Sequence, residues 1–187
     1  MVKMKTFLIA VSSVFGSIPG LAILRSGLGT PPENAALFGG VIEAFGALSL
    51  ALLWMNKDRL KKVTSYRITR VVISLAISTF VSIALYVLLF RLCVVVHESR
   101  GTAYYPLWLS GEIADMVNAA GSRWEAIEHY GIAAVILAID KMSSTAITVT
   151  TLVLLFVYQN IFTCLTLAFG LLGFSDGAGE KKPLRKR

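Results

Sequence analysis

Charged residues are scarce in this 187-residue sequence, which is 56% hydrophobic and only 16% charged. A soluble domain carries roughly 45–50% apolar and about 25% charged residues. The low charge therefore argues against an ordinary soluble domain, and the high hydrophobicity excludes a disordered chain. The two cysteines are too few for a disulfide scaffold. Because the apolar residues form long blocks, most of the chain is expected to cross a lipid bilayer.

Four apolar blocks are long enough to cross a bilayer core of about 30 Å, which requires roughly 20 helical residues. They lie near residues 6–24, 35–55, 71–96 and 146–174. A fifth block, 131–139, is too short to cross and is expected to be interfacial or re-entrant. The sequence therefore predicts an all-α polytopic membrane protein with four transmembrane helices and a small helical extracytoplasmic insert between helices 3 and 4.

The predicted domain organisation follows from these spans. Residues 1–96 carry the first three helices and, at 56–70, a basic cytoplasmic loop. The insert covers 97–141, the fourth helix 142–175, and a basic cytoplasmic tail 176–187. The first span is expected to be retained as a membrane helix, because no small-x-small signal-peptide cleavage site follows it.

The distribution of lysine and arginine predicts the orientation of the chain. Most of the 18 basic residues precede the first span, lie between spans two and three, or follow span four. Cytoplasmic loops carry the excess of positive charge in membrane proteins. Both termini are therefore expected to be cytoplasmic, in a multi-pass protein of the bacterial inner (plasma) membrane.

The two cytoplasmic basic segments have two interpretations. They are either topology signals that contact lipid headgroups, or a docking surface for an acidic cytosolic protein or nucleic acid. Direct nucleic-acid recognition is not expected, because no glycine-rich phosphate loop or aromatic-interleaved basic motif accompanies them. The candidate partner-binding residues are Lys57, Arg59, Lys61, Lys62, Arg67, Arg70, Lys181, Lys182, Arg185 and Lys186.

Polar residues inside the predicted spans form the second candidate site. An ionised side chain at the bilayer centre costs several kcal/mol on most scales, so each such residue needs an explanation. They act either as interhelical hydrogen-bonding groups, each bond contributing about 0.6–2 kcal/mol, or as the lining of a hydrated path. The residues are Glu43, Ser74, Ser78, Ser82, Tyr86, Gln159 and Asn160.

Helical spacing predicts which of these polar residues lie together. The serines and Tyr86 follow one another at intervals of four along span three, which places them on one helix face. Glu43 and Ser82 lie at similar distances from the centres of their spans, so we expect them to meet at the same depth. A ladder of small residues in span one, Ser12, Gly16 and Gly20, predicts a helix-packing or oligomer seam.

The insert is expected to contain two short helices. Apolar residues within 112–120 repeat with the spacing of one helix face. Ser122 and Glu125 match a capping box that begins a second helix, with Trp124 and Ile127 on its apolar side. The insert is either a structural cap on the helix ends or a ligand-sensing or oligomer-forming domain.

No catalytic motif is present in the sequence. It contains no serine–histidine–acid arrangement, CxxC pair or HExxH helix. We therefore expect a protein that is not an enzyme and uses neither a metal nor a cofactor.

Two resemblances extend these expectations. The stretch GLGTPPENAALFGGVIEAFGALSLALLW resembles the second-helix region of the DoxX-like four-span membrane proteins, which carry a glutamate at the position of Glu43 but lack the long insert. The whole-chain layout, with inside termini, a basic inner loop and an outer segment between spans three and four, resembles the membrane subunit of the bacterial Kiwa anti-phage system. That resemblance implies an inner-membrane homo-oligomer that senses envelope disturbance and engages a cytosolic DNA-binding partner. It assigns no role to any residue.

These observations favour a non-enzymatic, oligomeric inner-membrane sensor or scaffold that relays an envelope perturbation to a cytosolic protein. The Kiwa resemblance implies that this relay acts in anti-phage defence. The alternative is an oligomeric ion channel or transporter, with Glu43 and the serines of span three lining the path. Four spans are few for a transporter, so the alternative requires a pore built by several copies.

Overall fold

A computed structural model of the chain describes residues 2–26, 35–60, 62–97, 101–142 and 144–175. Its elements in chain order are the helices α1 (Val2–Ser26), α2 (Ala35–Met55), α3 (Lys57–Leu60) and α4 (Ser65–Cys93), the strands β1 (Val94–His97) and β2 (Gly101–Tyr104), and the helices α5 (Glu112–Ala120), α6 (Arg123–Tyr130), α7 (Ile132–Asp140) and α8 (Ser144–Ser175).

The described part of the chain is mostly helical, and its longest helices are apolar. Two helices are long and apolar enough to cross a membrane: α4, over Ser65–Cys93, and α8, over Thr145–Phe174. Shorter apolar helical stretches lie at Met4–Ser17 in α1 and Gly39–Met55 in α2. This set of helices is compatible with the predicted all-α membrane protein.

The α8 helix packs against α1, α2 and α4, and its contacts with α4 define their relative direction. Cys93, at the end of α4, packs against Leu154 near the start of α8. Ser78, earlier in α4, lies beside Cys164, later in α8. The two helices therefore run antiparallel.

The α2 helix runs parallel to α8. Ile42, in the first half of α2, packs against Leu155, and Leu53, near the end of α2, lies against Gly170. The α1 helix is antiparallel to α8, because the start of α1 lies beside Gly173 and its middle beside Thr166. The four long helices therefore alternate in direction, which places α3 and the end of α8 at one end of the bundle.

Small residues allow α1 to approach both of its neighbours closely. A Cβ atom at Gly46 of α2 would overlap with the backbone carbonyl of Gly16 in α1. Ser12 is buried and donates a hydrogen bond to the carbonyl oxygen of Thr166, at 2.7 Å. Ser12 and Gly16 of the predicted small-residue ladder therefore pack within one chain, as small residues do where helix backbones meet.

The connection between α4 and α8, residues 94–142, is called the cap below. It contains two strands that the sequence analysis did not predict: α4 ends at Cys93, and β1 pairs antiparallel with β2, with Val94 opposite Tyr104. The third helix therefore does not continue to Val96 as expected. The insert is also not entirely helical as had been expected. The physical reason is that consecutive β-branched valines favour a strand once a pairing partner is available.

The rest of the cap follows the predicted helices. Ser122 Oγ accepts a hydrogen bond from the Glu125 backbone N–H at 3.1 Å, which confirms the capping box at the start of α6. Ile113 and Ile127 are fully buried in the cap core, to which β2 and α7 also contribute. Trp124 was expected on the apolar side of α6 but is exposed, and its ring stacks on His97.

We expect replacement of Gly46 by alanine to destabilise the bundle, because the added methyl group would collide with the backbone of Gly16. Overpacking of this kind costs about 1–3 kcal/mol. The matched control is Gly40→Ala in the same helix, since a Cβ there meets no atom of the described structure within 4 Å. Thermal unfolding of the detergent-solubilised protein should show a lower Tm for Gly46→Ala only, and equal Tm values would contradict the close packing.

Candidate functional site

A cluster of polar side chains joins the middle of α4 to the middle of α8. Asn160 Nδ2 donates hydrogen bonds to Ser82 Oγ at 2.8 Å and to Ser78 Oγ at 3.3 Å. Cys164 Sγ lies 3.6 Å from Ser78 Oγ. The structure thus brings three of the predicted polar residues together, whereas Ser74 is exposed and lies outside the cluster.

Gln159 and Tyr86 lie next to this cluster but are paired differently. Gln159 Nε2 donates to Thr163 Oγ1 at 2.9 Å, one turn further along α8. The buried Gln159 Oε1 and Tyr86 OH atoms have no hydrogen-bond partner among the described residues. The Tyr86 ring packs against Tyr158, with 5.4 Å between ring centroids.

Glu43 is half-buried and lies apart from the serines. By helical spacing it shares a face of α2 with Gly46 and Leu50, which contact Gly16 of α1. The expected meeting of Glu43 with Ser82 is not observed, because α2 and α4 pack on α8 and make little direct contact within the described residues. Ser82 is hydrogen-bonded by α8 instead.

Arg123, which the sequence analysis did not single out, holds the cap to the end of α4. Its guanidinium donates hydrogen bonds to the carbonyl oxygens of Leu92, Pro106 (3.2 Å) and Leu107 (3.4 Å). The last carbonyls of a helix have no partner within the helix, and the helix dipole favours a cation there. Arg123 supplies both the donors and the charge.

Tyr105 completes this contact. Its backbone N–H donates to the carbonyl oxygen of Cys93 at 2.7 Å, and its hydroxyl donates to the carbonyl oxygen of Arg123 at 2.8 Å. The Arg123 guanidinium lies over the Tyr105 ring, 5.4 Å from its centroid. Burial raises the pKa of the Tyr105 phenol to about 12, although the positive charge of Arg123 opposes this rise. The hydroxyl therefore stays protonated and able to donate at neutral pH.

A second contact connects the cap to α8. The Leu107 backbone N–H donates to Thr150 Oγ1 at 2.9 Å, and Thr150 is buried. Tyr105, two residues earlier, bonds to Cys93 at the end of α4, so one short cap segment is bonded to both long apolar helices. Chain separation explains why the sequence did not reveal this: the pattern around Arg123 indicates a helix start, and nothing local indicates its partners.

Two basic residues of the 56–70 loop lie over aromatic rings. Lys57 lies over the Trp54 ring and Arg70 over the Tyr66 ring, at 4.7 Å and 4.4 Å from the ring centroids. Arg59, Lys62, Arg67 and Arg70 are exposed, and Lys57 is half-buried. The other predicted partner-binding residues lie outside the described part of the chain: Lys61, Lys181, Lys182, Arg185 and Lys186.

Comparison with known proteins assigns no function to these residues. Comparison of the chain with protein-family models, with curated proteins and with solved structures gives no match. Within the described residues, no group of three or more histidine, cysteine or acidic side chains could hold a metal ion. Any functional conclusion therefore rests on the cluster, the cap contact and the basic loop.

We expect Arg123→Lys to loosen the cap, because an ammonium group cannot reproduce the planar guanidinium contacts with three carbonyls. Hydrogen bonds to charged groups contribute about 1.5–3 kcal/mol each. Hydrogen–deuterium exchange should show faster exchange at the backbone amides of Tyr105 and Leu107. Arg91→Lys, an exposed position in the last turn of α4, is the control, and equal protection in both variants would contradict the role of Arg123.

Proposed function

We propose that this protein is a non-enzymatic, oligomeric sensor or scaffold of the bacterial inner membrane. In this proposal, a perturbation of the envelope moves the cap, and the movement passes through the helices to a cytosolic partner protein. The observation that carries the proposal is the hydrogen bond from Arg123 to the carbonyl oxygen of Leu92 in the last turn of α4, because it joins the cap directly to a helix of the bundle.

The membrane topology in this proposal has four spans, α1, α2, α4 and α8, with both termini in the cytoplasm. Two of these helices meet the length and hydropathy expected of a span, and the other two contain shorter apolar stretches. The alternating helix directions support this topology, because they place the basic 56–70 loop and the end of α8 on the same side. Positive charge on one side is typical of the cytoplasmic face.

In this relay, the movement passes through α4 and α8, which slide relative to each other. A displaced cap acts on α4 through Arg123 and on α8 through Thr150. The hydrogen bonds of Asn160 then resist or transmit sliding between the two helices. Such bonds are worth about 0.6–2 kcal/mol in membranes, which is small enough to be rearranged by a modest force.

The inner end of α8 would pass the movement to the basic surface. The α3 helix, which carries Lys57 and Arg59, packs against α8. A shift of α8 along its axis therefore changes the position of the exposed basic residues that follow. The resemblance in layout to the Kiwa membrane subunit supports a cytosolic partner, which in that system binds DNA, and supports a role in anti-phage defence.

An oligomeric channel is the weaker candidate. The hydroxyls of Ser78 and Ser82 are used by Asn160, and Glu43 lies on a helix face near α1 rather than beside them. A hydrated path would need these groups to face one another across a shared space. No specific observation within the described residues favours that arrangement.

We expect the relay to be visible as a change in the exposure of Lys62 when the membrane is stretched. A Lys62→Cys variant, labelled with a maleimide in vesicles before and after an osmotic downshift, should change its labelling rate several-fold. Introducing Arg123→Met should abolish this response, because the cap is then released from α4. The native thiols of Cys93 and Cys164 are buried and contribute little background.

The control for this experiment is Arg91→Met, which removes a nearby exposed cation without touching the cap contact. It should leave the response of Lys62→Cys unchanged. An unresponsive parent protein, or equal responses with and without Arg123, would overturn the relay.

We expect the cytosolic partner to depend on the inner basic residues. Replacing Lys61, Lys62, Arg185 and Lys186 with glutamine should abolish co-purification of the cytosolic partner that the parent protein recovers from native membranes. The reason is that the attraction between these residues and the partner is electrostatic. Unchanged recovery would exclude these residues as the docking surface.

Topology must be mapped in the same variants, since inner charges also set orientation. Protease added to intact spheroplasts should cleave within 104–130 and spare residues 181–187. The reverse pattern in the parent protein would overturn the proposed sidedness.

A further inference from the structure

An uncharged stretch of α4 provides a depth scale for the proposed membrane placement. Residues 71–90 carry no charged side chain, and Arg70 and Arg91 flank them. At about 1.5 Å per residue these roughly 20 residues extend about 30 Å, which is the thickness of the hydrocarbon core of a bilayer. Arg91 is exposed and lies near the cap end of α4, so it lies at the outer boundary of that core.

The antiparallel packing of α4 and α8 gives the level of this boundary on α8. Asn160 is hydrogen-bonded to Ser82, so the two helices are level at these residues. Arg91 lies nine residues after Ser82, and Thr150 lies ten residues before Asn160. Both are therefore displaced outward by about 14–15 Å, which places Thr150 at the same boundary as Arg91.

One segment of the cap reaches this boundary. The Leu107 backbone N–H donates to Thr150 Oγ1 at 2.9 Å, and the Leu107 side chain packs against a buried cluster that includes Leu154, one turn deeper in α8. Trp108 is the next residue, and consecutive Cα atoms are about 3.8 Å apart. The Trp108 side chain therefore begins close to the level of the outer boundary.

The chemistry of Trp108 suits this level. The residue is 47% exposed, and its indole combines an apolar ring with an N–H donor. Tryptophan is enriched at membrane interfaces, because the ring can contact acyl chains while the N–H meets the headgroups. The exposed faces of α5 and α6 differ, since they carry carboxylates, which favour water. These are Glu112, Asp115, Glu125 and Glu128.

We propose that the cap contacts the outer leaflet of the membrane through Trp108, whose indole ring lies where the lipid headgroups meet the acyl chains. The residues just before it bond the same segment to both long helices, Tyr105 to α4 and Leu107 to α8. A change in bilayer thickness or tension therefore displaces the segment that holds the cap to these helices. The inference rests on the proposed function, and it names the lipid boundary as the stimulus of the relay.

The first test is fluorescence quenching of single-tryptophan variants in phosphatidylcholine vesicles. The chain has three tryptophans, all of them exposed, and each variant keeps one and replaces the other two with phenylalanine. Trp108 should be quenched most by lipids brominated near the headgroup end of the acyl chains, and only weakly by acrylamide in the water. Trp124 is the matched control, because it is also 47% exposed but shares a face of α6 with Glu128. Acrylamide should quench Trp124 strongly, and brominated lipids should quench it weakly.

The third tryptophan separates a failure of this inference from a failure of the proposed membrane placement. Trp54 lies near the end of α2 and should be quenched by brominated lipids wherever the cap lies. Lipid quenching of Trp54 without that of Trp108 would overturn the lipid contact alone, whether acrylamide reaches Trp108 or a second copy of the chain shields it from both quenchers. Absence of lipid quenching at Trp54 as well would overturn the proposed spans and the contact together.

The second test asks whether the contact is the stimulus. In the Lys62→Cys vesicles, Trp108→Ser should remove most of the change in labelling rate that follows an osmotic downshift, because the polar side chain no longer holds the segment in the lipid boundary. Trp124→Ser is the control and should leave the change intact. Equal responses in the two variants, or a parent protein that does not respond, would overturn the lipid boundary as the stimulus.

Discussion

The hydrogen bonds at the C-terminal end of α4 hold the two parts of this protein together. A helix that ends in apolar surroundings must find donors for its last carbonyl groups. Here the carbonyl of Leu92 accepts from Arg123 and that of Cys93 accepts from Tyr105. Since both donors belong to the cap, separating the cap from α4 would leave both of these carbonyls without their hydrogen-bond donors. The position of the cap is therefore coupled to that of the helix.

The same constraint governs the interior of the bundle. Ser12 bonds to the backbone of α8, and Asn160 bonds to two serines of α4, so these polar groups stabilise helix contacts that apolar packing alone would leave unspecified. The close approach of the helix backbones at Gly16 and Gly46 further restricts how α1 and α2 can pack. The Gln159 Oε1 atom is an exception, because it is buried without a hydrogen-bond partner among the described residues.

The α8 helix is central because it contacts the cap, α4 and α3. It contacts the cap through Thr150, the α4 helix through Asn160 and the basic α3 helix at its far end. In the proposed relay, a displacement of α8 at the cap shifts its other end, because packed helices move between discrete arrangements rather than bending continuously.

The sequence by itself determined the features that depend on local pattern: the long apolar helices α4 and α8, the capping box at Ser122, and the buried face of α5. These follow from hydrophobic periodicity and from contacts between residues close in the chain. Only the tertiary structure decided that Val94 begins a strand, that Asn160 rather than Glu43 bonds Ser82, and that Arg123 holds the end of α4. Each of these depends on residues far apart in the chain, and helical spacing defines a face of one helix without defining which neighbour it meets.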